Sequence, residues 1–329
     1  MDSLIFAFDS VAPIIFTVAI GYLLKRIGFM TGDFAKMANR LVFRVFLPVT
    51  LFLNVYKIEN MSGVSMGYVL YTIFAVLVIF LIALAVVNLC TKERSRKGAL
   101  LQASFRSNYA LIGIPLATSL FGDSGAQVAT LLSAIVIPAF NVLAVLSLSI
   151  FSDVGGGKER IKKVLLGIVK NPLIIGIFAG LIALGVRALL VRLGSDFRLS
   201  DVSSVYKTMD YLSRMSTPLA LLVLGAQFEF SAIGYMRREI IVGTVMRCLF
   251  VPIFGIGIAY LAFRNSFSGA HFAALVAVFC TPVAVSSVPM AQEMGQDVGL
   301  AGQLVVFTTI CSAFTVFVVS FLLRSAGIF

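Results

Sequence analysis

Residues 108–115 read NYALIGIP and residues 281–289 read TPVAVSSVP, and each run lies in the middle of a long apolar stretch. One constant offset carries Asn108, Pro115 and Asp123 onto Pro282, Pro289 and Asp297. Glycine and proline at these points interrupt a helix. A helix interrupted inside a bilayer frees backbone N–H and C=O groups at a cost of roughly several kcal/mol each. Such breaks persist only where the backbone is buried in protein or lines a cavity. A matched pair of interrupted spans, one in each half of a chain, points to the binding site of a secondary transporter.

Composition sets the solvent. Of the 329 residues 60% are hydrophobic and only 12% are charged, and the mean hydropathy is +1.03. A soluble domain carries about a quarter charged residues, so this chain reads as an integral membrane protein. The net charge of +11 resides in short loops between apolar runs, which is topology and not a surface for nucleic acid. Cys90, Cys248, Cys280 and Cys311 stand singly in apolar runs with no C-x-x-C pair, so neither a metal site nor a disulfide is expected, and no cofactor is. Asp2 and Asp9 precede the first apolar run and Lys25 and Arg26 follow it, the reverse of a signal peptide, so the first span is expected to remain in place.

A helix of about 20 residues crosses the hydrocarbon core. On that ruler the all-α chain has ten expected spans, at 11–27, 36–56, 66–90, 98–121, 125–151, 164–190, 207–230, 239–263, 269–293 and 298–323. The 152–163 connection holds Gly155, Gly156 and Gly157, and the polar 191–206 connection has room for a short surface helix. With both termini outside, most lysines and arginines fall on the cytoplasmic side, among them Lys25, Arg26, Lys36, Arg40, Arg44, Lys92 and Arg94. Further pairs recur in order: Pro13 and Gly21 with Pro172 and Gly180, and Pro48 with Pro218. The reading is a five-plus-five inverted repeat, 1–151 and 164–329 joined by a linker at 152–163, with crossed broken helices in spans four and nine. An odd number of spans per half forces the second half to insert upside down, which supplies the two conformations that alternating access needs.

The runs NYALIGIPLATSLFGD and TPVAVSSVPMAQEMGQD, with RVFLPVTLF in span two and Pro13 in span one, closely resemble the paired motifs of the auxin efflux carrier family. The resemblance covers essentially the whole chain, and the short 152–163 loop looks like a compact prokaryotic member. It implies the ten-span inverted-repeat fold shared with bile acid carriers and sodium–proton antiporters, and a homodimer. Prokaryotic members are usually described as permeases for malate, malonate or similar acids. By the same resemblance Asn108 is the motif asparagine, implying substrate contact at the crossing; capping of freed backbone groups is the alternative.

Arg106 lies about 12 Å into span four at 1.5 Å per residue. A guanidinium at the bilayer centre costs roughly 2.5 to 3.5 kcal/mol even on lenient insertion scales. Its fork matches a carboxylate, so it reads as a substrate anchor, as a charge that concentrates anions, or as an arginine that snorkels or pairs with an internal acid. Gly113, Pro115, Pro282 and Pro289 would act through backbone geometry, presenting half-helix amino ends of about +0.5 charge to an anion. Tyr109, Thr281, Ser286 and Ser287 are lesser wall candidates. Arg214 and Arg247 could neutralise a carboxylate or pair with Asp210, Glu229 or Glu239. Asn54, Gln102, Asn141 and Gln303 could coordinate an ion or bond between helices. Glu293, Asp297 and Asp123 read as caps or gates near water, and His271 as an interfacial residue, with titration near neutral pH as the alternative.

The function expected is secondary transport of a small organic anion by alternating access, with the bilayer and that anion as partners. Substrate would bind between a scaffold of spans three to five and eight to ten and a second domain of spans one, two, six and seven. An inside-negative potential favours anion efflux without a coupled ion, by about 2.3 kcal/mol per charge per 100 mV. A Na⁺- or H⁺-coupled carboxylate importer is the alternative within transport. An intramembrane enzyme would need a nucleophile–base pair or metal ligands, and with one histidine and no H-E-x-x-H or G-x-S-x-G run none is expected. A sensor would need an output domain, for which the residues after Arg324 leave no room.

Overall fold

A computed structural model describes residues 2–57, 65–152 and 165–329, with side chains from residue 12 onward. Beyond residue 152, the expected linker lies outside the described residues. Among those described the chain is all-helical. Its helices are α1 (Asp2–Arg26), α2 (Gly32–Tyr56), α3 (Met66–Cys90), α4 (Arg94–Phe105), α5 (Tyr109–Ile150) and α6 (Pro172–Arg192). They continue as α7 (Ser203–Gln227), α8 (Arg237–Phe263), α9 (Gly269–Phe279), α10 (Ser287–Glu293) and α11 (Val298–Ser325).

Six of these, α2, α3, α5, α6, α8 and α11, are long and apolar enough to cross a membrane. The other expected spans are distributed differently. The 11–27 stretch belongs to α1 and most of 207–230 to α7, while 98–121 divides between α4 and α5 and 269–293 between α9 and α10. The boundary expected near residue 121 falls inside α5, where Phe121 (φ −142°, ψ 25°) and Gly122 (φ 59°, ψ −150°) leave helical geometry. A positive φ at this bend suits glycine, which has no Cβ. In place of a surface helix in 191–206 there is one 3₁₀ turn, Leu199–Asp201.

Local chemistry fixes the ends. The side chains of Thr31, Ser65, Asn171 and Asp297 accept the backbone N–H of Phe34, Tyr68, Leu173 and Leu300, capping α2, α3, α6 and α11. Proline shapes the interiors. Three π-turns, Val42–Phe46, Tyr109–Gly113 and Met246–Phe250, each end two residues before a proline, Pro48, Pro115 and Pro252. Proline lacks the N–H that would meet the carbonyl four residues back and its ring crowds that carbonyl, so the preceding turn widens. One freed carbonyl, that of Cys248, accepts the Thr315 hydroxyl from α11 at 2.8 Å.

α1 lies along α7, and the second half of α2 packs on α6 and α7. α5 lies along α9, and α11 packs on α4, α8 and α10. Phe74, Leu77 and Leu81 on α3 and Ile175, Phe178 and Ile182 on α6 stay exposed, as suits helices whose outer faces meet lipid.

Candidate functional site

The two stretches with which the sequence reading began meet in space. After α4 the chain is non-helical over 106–108, extended at Arg106, and after α9 it is non-helical over 280–286. Ser107 and Val283 form an antiparallel bridge, and the Asn108 N–H donates to the Pro282 carbonyl at 2.8 Å. Each break thus satisfies part of the other. The Val283 N–H donates to the Thr308 hydroxyl of α11 at 3.1 Å. Gly113 permits the close approach of α5 to α9, because a Cβ there would sit 3.1 Å from the Ala277 carbonyl oxygen and 2.9 Å from the Tyr109 ring.

The carbonyls at the ends of α4 and α9 are met by Arg247, which is fully buried. Its Nε donates to the Thr281 carbonyl at 2.8 Å, Nη1 to Phe105 at 3.0 Å and Nη2 to Val278 at 2.9 Å. Val278 needs such a donor because residue 282, four positions on, is proline and has no N–H.

Beside the crossing lies a cavity of about 100 Å³. Arg106, Ser107, Asn108 and Ser286 form its wall on the breaks, Thr50 and Asn54 enter from α2, Asn141 from α5, and Ser216 and Thr217 from α7. Leu47, Leu51, Ile137 and Phe140 are among its apolar lining. Arg106 is only 4% exposed. Its Nη2 donates to Asn141 Oδ1 and Ser286 Oγ, both at 2.8 Å, and Nη1 faces Met290 Sδ. Asn141 is held in that orientation by its own Nδ2, which donates to the Ile137 carbonyl at 2.8 Å. All partners of Arg106 among the described residues are neutral. It neither snorkels nor pairs with an acid. Asn108, 9% exposed, makes no side-chain cap on α5, and its Nδ2 is buried without a partner among the described residues.

The other sequence candidates divide. Tyr109 lines the cavity, but its hydroxyl donates to the Ala129 carbonyl at 2.8 Å. Thr281 turns its hydroxyl to the Ala277 carbonyl, and Ser287 is buried outside the lining. Pro115, Pro282 and Pro289 do not line the cavity. Gln102 donates to Met290 Sδ, the same sulfur that Arg106 Nη1 faces. Arg214, with a side chain 78% exposed, pairs with Asp210 one turn back on α7 at 2.6 Å, the pairing alternative of the sequence reading, and lies away from the cavity. Gln303 lies in a separate recess, donating to the Glu229 carbonyl at 2.8 Å. Thr50, Ser107, Ser216, Thr217 and Thr308 were missed. The signal available was adjacency: Thr50 and Thr217 flank Pro48 and Pro218, and Ser107 sits between two residues already singled out.

That recess, about 730 Å³, opens at the end of the molecule carrying Lys25, Lys36 and Arg40. At its wall, α2, α7 and α10 are tied together. Asn39, fully buried, donates to Gln227 Oε1 at 3.0 Å and Gln292 Oε1 at 2.9 Å, and Gln292 returns a bond to the Lys36 carbonyl. Arg40 and Arg44 pair with Glu293 at 3.4 and 3.0 Å. Deeper in the recess Arg96 bridges Glu93, Glu239 and Asp297. His271 serves as a helix-start partner, its Nδ1 2.7 Å from the Ser268 hydroxyl.

Comparison with known proteins adds three matches. The family model described as "Membrane transport protein" covers residues 6–320. An uncharacterized transporter of Methanocaldococcus jannaschii is 26% identical over 254 residues, 74% of this chain and 76% of the relative. An uncharacterized transporter of Methanothermobacter thermautotrophicus is 26% identical over 321 residues, 92% of this chain and 94% of the relative.

Proposed function

Since the chain belongs to the membrane transport protein family, that of the auxin efflux carriers, we propose that it moves small organic anions across the bilayer by alternating access. The substrate carboxylate sits at the crossing of the two broken segments. One observation carries this reading: Arg106, a buried cation with only neutral partners, lines a cavity next to the unpartnered amide of Asn108. A desolvated guanidinium is costly without an anion, and the fork and the amide both donate to carboxylate oxygens. The amino end of α5 opens at the same wall and adds positive potential. α10, at seven residues, is too short to add much.

Counting α4 with the first part of α5 as one broken span, and α9 with α10 as another, gives ten spans. Matching breaks at 106–108 and 280–286 support the inverted repeat of 1–151 and 164–329. The packing of α1, α2, α6 and α7 on one another supports their acting as one unit against a scaffold of the rest. Lysine and arginine placement supports both termini outside, with the recess cytoplasmic. In that orientation the Asn39–Gln227–Gln292 ties and the Glu293 ion pairs close the cytoplasmic path, and they are the contacts an inward-open form must break. Efflux down the membrane potential needs no second ion.

The test is electrical. Purified protein on a solid-supported membrane is challenged with malate, malonate, succinate and indole-3-acetate, with and without Na⁺. A saturable current in sodium-free buffer is the expected result. A response only with Na⁺ replaces efflux by coupled import, and silence with every acid removes the organic-anion reading.

A further inference from the structure

We infer that Arg247 sets the sign of the charge at the crossing, as a positioning residue that acts on the substrate through the backbone. The inference rests on the organic-anion reading above. A helix carboxyl end carries about half a negative charge, and both α4 and α9 end against this side chain. Two such ends amount to about one negative charge, and a single guanidinium balances it with one N–H for each of three carbonyls.

The placement of these carbonyls is what makes the balance matter. Phe105 is followed directly by Arg106, and Thr281 directly by Pro282, whose own carbonyl takes the Asn108 N–H. Without Arg247 the negative end of α4 would stand one residue from the cavity wall at Arg106, and Thr281 after α9 three residues from it at Ala284, and both would compete with a ligand for the Arg106 charge. With Arg247 buried among them, Arg106 keeps only neutral side-chain partners. Two buried arginines therefore divide the work. Arg247 answers the negative poles of the protein, and Arg106 is left for the negative charge of the substrate. Arg247 belongs to α8, whose π-turn Met246–Phe250 contains it, so neither broken segment supplies the compensating charge itself.

The substitution that separates charge from hydrogen bonding is Arg247→Gln, with Arg247→Lys as the charge-preserving control. The probe is whichever of malate, malonate, succinate or indole-3-acetate gives the largest wild-type current. Arg247→Gln is expected to raise the KM for that anion about tenfold or more while the maximal rate stays within about twofold. Arg247→Lys is expected to return KM to within about threefold of wild type. A purely structural role would instead lower the maximal rate through loss of folded protein and leave KM alone. An unchanged KM in Arg247→Gln overturns the inference, as does an equal rise in both variants, which would make the fork and not the charge decisive. Should Arg247→Gln not assemble, Arg247→Lys decides alone: a tenfold rise in its KM sinks the idea. Wild-type silence with all four acids would overturn the transport reading first, so the two failures are told apart.

Discussion

Replacing Arg106 by methionine should make ligand affinity and protein stability move apart. If a carboxylate docks on the guanidinium, the substitution truncates one partner of a buried, hydrogen-bonded charge pair. Such truncations cost about 2–5 kcal/mol, which is about thirtyfold to several-thousandfold in Kd. In the ligand-free protein the terms oppose one another. Asn141 and Ser286 each lose a bond, worth about 1–3 kcal/mol where a buried group is left unsatisfied. Against this, a cation only 4% exposed with no acidic partner among the described residues no longer has to be buried, a relief of about several kcal/mol. The ligand-free protein should therefore melt close to the wild type, within about 2 kcal/mol. The assay is thermal unfolding in nanodiscs, titrated with the acid that drives the wild-type current. The expected pattern is an unchanged baseline and a lost ligand shift. A collapse of the ligand-free protein would make Arg106 a structural brace, and a wild-type Kd would remove it from the site.

Other substitutions probe different parts. Asn108→Ala should weaken anion binding by about 1–3 kcal/mol without altering the fold, since its Nδ2 bonds nothing among the described residues; an unchanged Kd by calorimetry returns Asn108 to a backbone role. Pro115→Ala and Pro289→Ala should slow turnover more than they weaken binding, as pre-steady-state currents would record, and a loss of affinity at constant turnover would contradict that. Glu293→Gln removes the acid shared by Arg40 and Arg44. At about 0.2–1 kcal/mol per exposed pair, the two pairs amount to about 0.4–2 kcal/mol, so the cytoplasm-open population should rise by about twofold to thirtyfold. Labelling of Thr217→Cys from the cytoplasmic side by an impermeant maleimide reads this out, and an unaltered labelling rate would detach Glu293 from the closure.

Much of this protein was legible in its sequence because the bilayer imposes one-dimensional rules. Apolar run length marks helices, lysine and arginine mark loops, and proline marks the backbone that must find a partner elsewhere. NYALIGIP and TPVAVSSVP lie beside the breaks, although the chain leaves helix at 106–108 and 280–286 while Gly113, Pro115 and Pro289 sit inside helices, and caps such as Thr31 and Asp297 stand beside the helices they serve. Arg214 was legible too, since Asp210 lies one turn away on the same helix. The roles of Arg106 and Arg247 were not. Both are arginines in apolar stretches, and from the sequence either could have faced a substrate, an acid or lipid. Their partners lie on other helices, Asn141 and Ser286 for Arg106 and Phe105 and Thr281 for Arg247. Which partner a buried charge meets depends on the rotation and crossing of packed helices, which hydropathy does not encode. The sequence by itself determined a helical membrane transporter with two broken segments. Only the packing of α8 against the ends of α4 and α9 decided which arginine is consumed by the backbone and which is left beside the cavity.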